Sequence, residues 1–343
     1  MNFMIYNFWG DQINERRKIF MKKFIFNIFL ISIISIIFLL SFYVQAQQYP
    51  NRPIQLIIPI PAGGGGDVIS RMLIDDLEKA LGQKIIPVNK PGASMMTGTD
   101  FIAKSKKDGY TIGYSGSPII YSRFTLPSGL PFDPNKDLEP LGLHVFFPIA
   151  IAVQVESPWK TYDELVNYAK KNPGRLRVSV PGIGSTASFN VEIAQNIADV
   201  QFTIIPYVGG EAVVTALLGG HVEISFDILG KFKPYVEAGK LRLLATSRKI
   251  PFFPNLPTLK ELGYSMDLLS GWFGFYAPAG IQENIRLMLI SAVEKAVNNP
   301  ETKSKIENLG YVVEYKKPED MRKLFLDEFE IVKKIADKIK LQK

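Results

Sequence analysis

Apolar positions along this chain recur with two different periods, one suited to buried strands and one to amphipathic helices. Residues 54–58, Ile-Gln-Leu-Ile-Ile, read as a buried strand. Ile69, Met72, Leu73, Leu77, Ala80 and Leu81 then recur at helical spacing through residues 68–81. The alternation continues with a strand at 84–88, a turn at 89–93, a helix at 97–106, a turn at Asp108–Gly109 and a strand at 110–115. Residues 122–138, rich in Pro, Gly and Asp, are expected to hold little regular structure, and 139–155 reads as a strand interrupted at Pro148.

The second half repeats the pattern. Helices are expected at 162–171, 187–197, 209–219 and 232–238, with strands at 176–180, 201–206, 222–227 and 241–247. An aromatic strand at 270–278 is followed by helices at 281–298, 300–309 and 318–340, the last amphipathic. Strand–helix alternation is the signature of parallel sheets, so the expected class is α/β. The apolar runs at 139–155 and 270–278 read as crossings between two lobes. Residues 47–148 with 272–343 would form lobe I and 149–271 lobe II, after an extension and signal peptide at 1–46.

Two strand-to-helix turns carry the candidate chemistry. The first is Pro59–Asp67, where Ala62, Gly63, Gly64, Gly65, Gly66 and Asp67 contain no lysine or arginine. Bare backbone N–H groups at a helix N-terminus suit an anion, because the helix dipole adds partial positive charge there. The run matches neither the nucleotide P-loop nor the dinucleotide glycine fingerprint. A plain turn with Asp67 as helix N-cap is the competing reading. Alternatively, the Asp67 charge faces the cleft and favours ligands carrying an amino or hydroxyl donor. The second turn holds Gly182, Gly184, Ser185 and Thr186, with Ser185 a natural N-cap. Two such turns facing one cleft would clamp a small anion, with Ser115, Ser117 and Asp227 at neighbouring strand ends.

The N-terminus and the composition narrow the class. Lys22 and Lys23 precede an apolar run at 24–43 and a Val44–Gln45–Ala46 cleavage pattern, the layout of a secretory signal peptide. Export with cleavage after Ala46, from a start at Met21 rather than Met1, is expected; an uncleaved membrane anchor is the rival, since the run is long enough to span a bilayer. The chain has no cysteine, hence neither a disulfide framework nor a lipidated cysteine. Its net charge is +7; residues 1–46 carry five Lys/Arg and two Asp/Glu, and without them the balance is 35 against 31. No basic block or aromatic–basic interleaving points to nucleic acid. His144 and His221 are the two histidines, far apart and outside any metal-ligand spacing, so no metal or cofactor is expected. His144 reads as structural and His221 as exposed. No G-x-S-x-G elbow is present, and enzymatic activity is not expected.

Pro50–Ile54, P-A-G-G-G-G-D at 61–67, Asn89–Ala93, Asp108–Thr111, Pro206–Tyr207, Leu217–Gly220 and Trp272–Gly274 together resemble the Bug family, extracytoplasmic receptors of tripartite tricarboxylate transporters. The likeness runs in order from Tyr49 to the end. It implies a type II periplasmic-binding-protein fold that captures a small carboxylate through backbone N–H groups of the loops at 61–67 and 181–186. It also implies a monomer that hands its ligand to membrane permease subunits. Relative to the family pattern, Ser188 replaces a common histidine, Val208 a lysine, Ile228 an asparagine and Met95–Met96 a Gly-Asn pair. Each change makes the surroundings of the cleft more apolar and points to a ligand with an apolar body. A ligand sensor that presents its closed form to a membrane kinase is the alternative function.

Overall fold

Parallel strands cannot be joined by tight turns, and the helices of this chain serve as the crossovers that join them. The computed structural model describes residues 20–33, 35, 49–125 and 129–339. The first sheet contains β1 (Ile54–Ile58), β2 (Ile85–Asn89), β3 (Thr111–Gly116), β4 (Leu138–Phe147), β10 (Gly271–Pro278) and β11 (Val312–Lys316) in the order β11-β4-β10-β3-β1-β2. β1 runs parallel to β2 and β3, while β10 is antiparallel to β3 and β4. The second sheet contains β5 (Ile149–Gln154), β6 (Arg177–Val180), β7 (Thr203–Pro206), β8 (Ile224–Ile228) and β9 (Leu241–Thr246) in the order β7-β6-β8-β5-β9. β6 is parallel to β7 and β8, and β5 is antiparallel to β8 and β9.

The described helices are α1 (20–33), α2 (Gly65–Met72), α3 (Ile74–Leu81), α4 (Met96–Ala103), α5 (Pro118–Thr125), α6 (Tyr162–Lys171), α7 (Thr186–Ala198), α8 (Gly210–Leu218), α9 (Leu229–Glu237), α10 (Glu283–Val297), α11 (Pro300–Asn308) and α12 (Pro318–Ile339). The chain passes from the first sheet to the second at Pro148, where β4 leads directly into β5, and returns through 247–270 into β10. All eight residues of β10 are buried, so this return strand is part of the core of the first sheet. The described residues from 52 onward form one compact unit, separate from the described residues before 52. Among the described residues no helix is long and apolar enough to cross a membrane. The cleavage pattern at Val44–Ala46 and most of the apolar run before it lie outside the described residues.

Three elements depart from the periodicity. The helix expected at 68–81 is two, because the backbone tightens at Leu73, whose N–H bonds Ser70 O at 3.3 Å. α5 occupies 118–125, where Ile119, Ile120 and Tyr121 are fully buried; Pro118 at its first position is a helix-start signal that the Pro-rich surroundings obscured. β11 was not expected, since five residues between two helices show little alternation. It exists because its partner β4, more than 160 positions earlier, offers an edge to pair with.

Candidate functional site

The loops that leave β1, β2 and β3 gather at the C-terminal edge of the first sheet, and those leaving β6, β7 and β8 at the same edge of the second. Two contacts bring these edges together. The Tyr121 hydroxyl in α5 lies beside Ser117 at the end of β3 and beside Thr186 at the start of α7. Tyr311, just before β11, places its hydroxyl where a Cβ on Gly65 would fall only 2.3 Å away; burial raises its pKa, and the charges of Asp227 and Glu211 add to the rise.

In the first turn the helix begins at Gly64–Gly65, not at Asp67. Gly64 is the N-cap, and no side chain caps the helix. Val68 N donates the first helical bond, to Gly64 O at 3.0 Å, which leaves the amides of Gly65, Gly66 and Asp67 without acceptors among the described residues. Gly63 has φ +79°, a conformation that glycine adopts without strain. Asp67 therefore sits inside the helix, 3 % exposed, and its carboxylate turns inward. One oxygen accepts from Gly63 N at 2.9 Å, and the other from Arg71 Nε and Asn89 Nδ2, both at 2.8 Å. Asn89 also donates to Ile60 O at 2.9 Å and accepts from Arg71 Nη2. Burial alone would raise the Asp67 pKa, but the bonds from Asn89, Gly63 and Arg71 outweigh it and hold the carboxyl below its ordinary value. Both expectations for Asp67 are thus corrected: it is not the N-cap, and its carboxylate braces the loop rather than facing the cleft. The bracing role of Asn89 was missed because it depends on a cross-strand neighbour.

The second turn follows its sequence more closely. Ser185 is the N-cap, accepting from Ser188 N at 3.1 Å and donating to Gly182 O at 2.8 Å. Gly182 and Gly184 have φ +102° and +80°. The first helical bond runs from Phe189 N to Ser185 O, so the amides of Thr186 and Ala187 have no acceptor among the described residues. Ile183 at the tip of this loop is 63 % exposed and Val208, in the turn after β7, is 99 % exposed.

The remaining candidates divide. Ser115 and Ser117 are fully buried and already engaged. Ser115 shares a hydrogen bond with Thr99 Oγ1 at 2.8 Å, and Ser117 Oγ accepts from Trp272 N at 3.1 Å. These hydroxyls join core elements. Asp227, at the end of β8, is 2 % exposed; Oδ1 accepts from Ile228 N at 2.7 Å, while Oδ2 has no hydrogen-bond partner among the described residues. Burial pushes its pKa up to about 6, against the pull of Lys231, 3.9 Å away, and the Ile228 amide. A Cβ on Gly210 would fall 2.5 Å from that free oxygen, so only glycine lets the start of α8 approach it. Tyr311 and Lys231 complete this wall, and neither carried a local sequence signal. His144 is fully buried against the Tyr114 hydroxyl at 2.8 Å, and burial lowers its pKa to about 3, which keeps the ring neutral. No cluster of metal-ligating side chains occurs among the described residues.

Comparison with known proteins gives this geometry a context. The family model described as tripartite tricarboxylate transporter family receptor matches residues 69–341. The "UPF0065 protein in gbd 5′ region" of Cupriavidus necator is 35 % identical over 87 % of this chain and 91 % of its own length. Protein BugT of Bordetella pertussis is 31 % identical over 87 % of this chain and 93 % of its own. Among solved structures, an R. palustris protein determined with adipate superposes with a TM-score of 0.74 at 28 % identity, covering 84 % of this chain and 98 % of that one. The paired α/β sheets with converging strand ends are thus the architecture of periplasmic solute-binding proteins, and this chain belongs to the receptor family of the tripartite tricarboxylate transporters.

Proposed function

We propose that this receptor captures a small carboxylate between two lobes, 47–148 with 272–343 and 149–271, and delivers it to the permease subunits of a tripartite transporter. The observation that carries the reading is the pair of helix N-termini whose first amides lack acceptors: Gly65, Gly66 and Asp67 on α2, Thr186 and Ala187 on α7. Hydrogen bonds from such amides to a carboxylate are charge-assisted and contribute about 1.5–3 kcal/mol each. Ala62, Gly63, Gly64, Gly182 and Gly184 shape the turns that aim them, and Ser185 positions the second. The exposed side chains of Ile183 and Val208 favour a ligand with an apolar body between its polar ends. The adipate bound by the R. palustris relative has that form. Export to the periplasm by a signal peptide cleaved after Ala46 accords with this role.

Thermal melts with mono-, di- and tricarboxylates test the reading. A ligand held only by the native state at a hundred times its Kd stabilises by about 2.7 kcal/mol. Adipate or another short dicarboxylate is expected to raise the melting temperature, and Gly184→Val to abolish the rise while the protein stays folded. No shift with any carboxylate would overturn the proposal.

A further inference from the structure

A cavity of about 670 Å³ opens at the β9 edge of the second sheet, between the start of α6, the end of α9 and residues 252–257. None of its lining residues belongs to the glycine turns. Its volume is in the range of small-molecule sites, ~300–1,000 Å³.

Its walls are unusual in charge. They include Lys160 and Arg242 but no Asp or Glu. Arg242 is half-buried and donates only to carbonyls, to Val155 O at 2.8 Å, Trp159 O at 3.0 Å and Ser157 O at 3.5 Å. Carbonyl oxygens satisfy its N–H groups without neutralising its charge, which is the situation in which a bound anion gains most. The Lys160 side chain is exposed and forms no ion pair among the described residues. The two carboxylates in the first turn of α6 are committed elsewhere. Glu164 accepts from the Lys160 and Thr161 amides in the cap of α6, and Asp163 accepts from the Tyr264 hydroxyl at 2.9 Å. Tyr162, also in the wall, is 1 % exposed, and its hydroxyl has no hydrogen-bond partner among the described residues. An unpartnered buried hydroxyl calls for an explanation. Phe252 and Phe253 are half-buried beside Leu243 and supply an apolar surface.

We propose that this cavity is a second ligand site, separate from the inter-lobe cleft, for an amphipathic monocarboxylate. The apolar body lies along Leu243, Phe252 and Phe253, with the carboxylate toward Lys160 and Arg242. Tyr162 donates its free hydroxyl to the anion. The site lies within one sheet and its helices, so occupancy does not depend on lobe closure.

Calorimetric titration of the full chain with octanoate, alone and with saturating adipate, tests the proposal. Octanoate is expected to bind saturably with the same affinity in both titrations. Lys160→Glu should weaken it roughly five- to tenfold, because an exposed favourable charge becomes an unfavourable one. Tyr162→Phe should also weaken octanoate while leaving the melting temperature unchanged or higher, since it removes a hydroxyl that nothing satisfies. Absence of saturable octanoate binding, displacement of octanoate by adipate, or wild-type affinity in both variants would each overturn the site.

Discussion

Asp67 and Asp227 stand at the C-terminal edges of the two sheets, 3 % and 2 % exposed, yet their surroundings treat them oppositely. Asp67 receives three hydrogen bonds, and its carboxyl titrates below its ordinary value. Asp227 receives one, from Ile228 N, and its pKa rises to about 6. Burial raises both; the number of donors aimed at the charged form decides the sign. The first edge is thus a braced loop that holds its own anion, whereas the second keeps a buried carboxylate only partly compensated.

The largest expected effect comes from removing the brace. Asp67→Ala strands the Gly63 amide and takes one acceptor each from Asn89 Nδ2 and Arg71 Nε, which keep the Asn89–Ile60 O and Arg71–Asn89 bonds. Breaking a buried pair costs about 3–5 kcal/mol, and because Arg71 keeps 39 % of its side chain exposed the low end, about 3 kcal/mol, is expected. Urea unfolding at pH 7 measures it. The folded pKa of Asp67 is depressed, so its contribution is present above the unfolded value of 3.8 and is lost as pH falls through the folded pKa. The difference between wild type and Asp67→Ala should therefore shrink in strong acid.

Asp227 should behave in the reverse sense. Its folded pKa is raised from 3.8 to about 6, so its favourable contribution is complete below 3.8 and lost as pH rises through about 6. Asp227→Asn is expected to stabilise the protein by about 2 kcal/mol at pH 8 and to be nearly neutral at pH 4. A pH-independent effect of either aspartate would break the comparison.

Gly65→Ala should cost about 1–2 kcal/mol, because its Cβ would meet the Tyr311 hydroxyl at 2.3 Å. Tyr311→Phe should rescue it, since the next ring atom, Cζ, is 3.6 Å away. Unfolding midpoints of the two single variants and the double variant give the coupling directly. The smallest effect is expected for Ser185→Ala, about 1 kcal/mol, the usual cost of a lost N-cap. The second turn relies on that local cap and, among the described residues, has no counterpart to the Asp67–Asn89–Arg71 brace, so Ser185→Ala and Asp67→Ala together compare the two constructions.

Much of this was legible in the chain. Periodicity located most strands and helices, because which face of a strand or helix is buried is written in the spacing of its apolar residues. The glycine turns were legible because positive φ and close backbone approach need glycine, and Ser185 because a cap bonds within its own turn. What local pattern could not carry was direction and partnership. Asp67 looked the same whether it pointed to the cleft or to Asn89, and only the pairing of β1 with β2 put Asn89 beside it. β11 and Tyr311 acquired meaning from β4 and Gly65, residues far away in the chain. The sequence by itself determined the α/β alternation, the two glycine turns between strand and helix, the Ser185 cap and the absence of cysteine. Tertiary structure alone decided which carboxylate is braced, which is left partly uncompensated, and that Tyr311 stands between the sheets, because hydrogen-bond supply and desolvation depend on neighbours brought together by folding rather than by order along the chain.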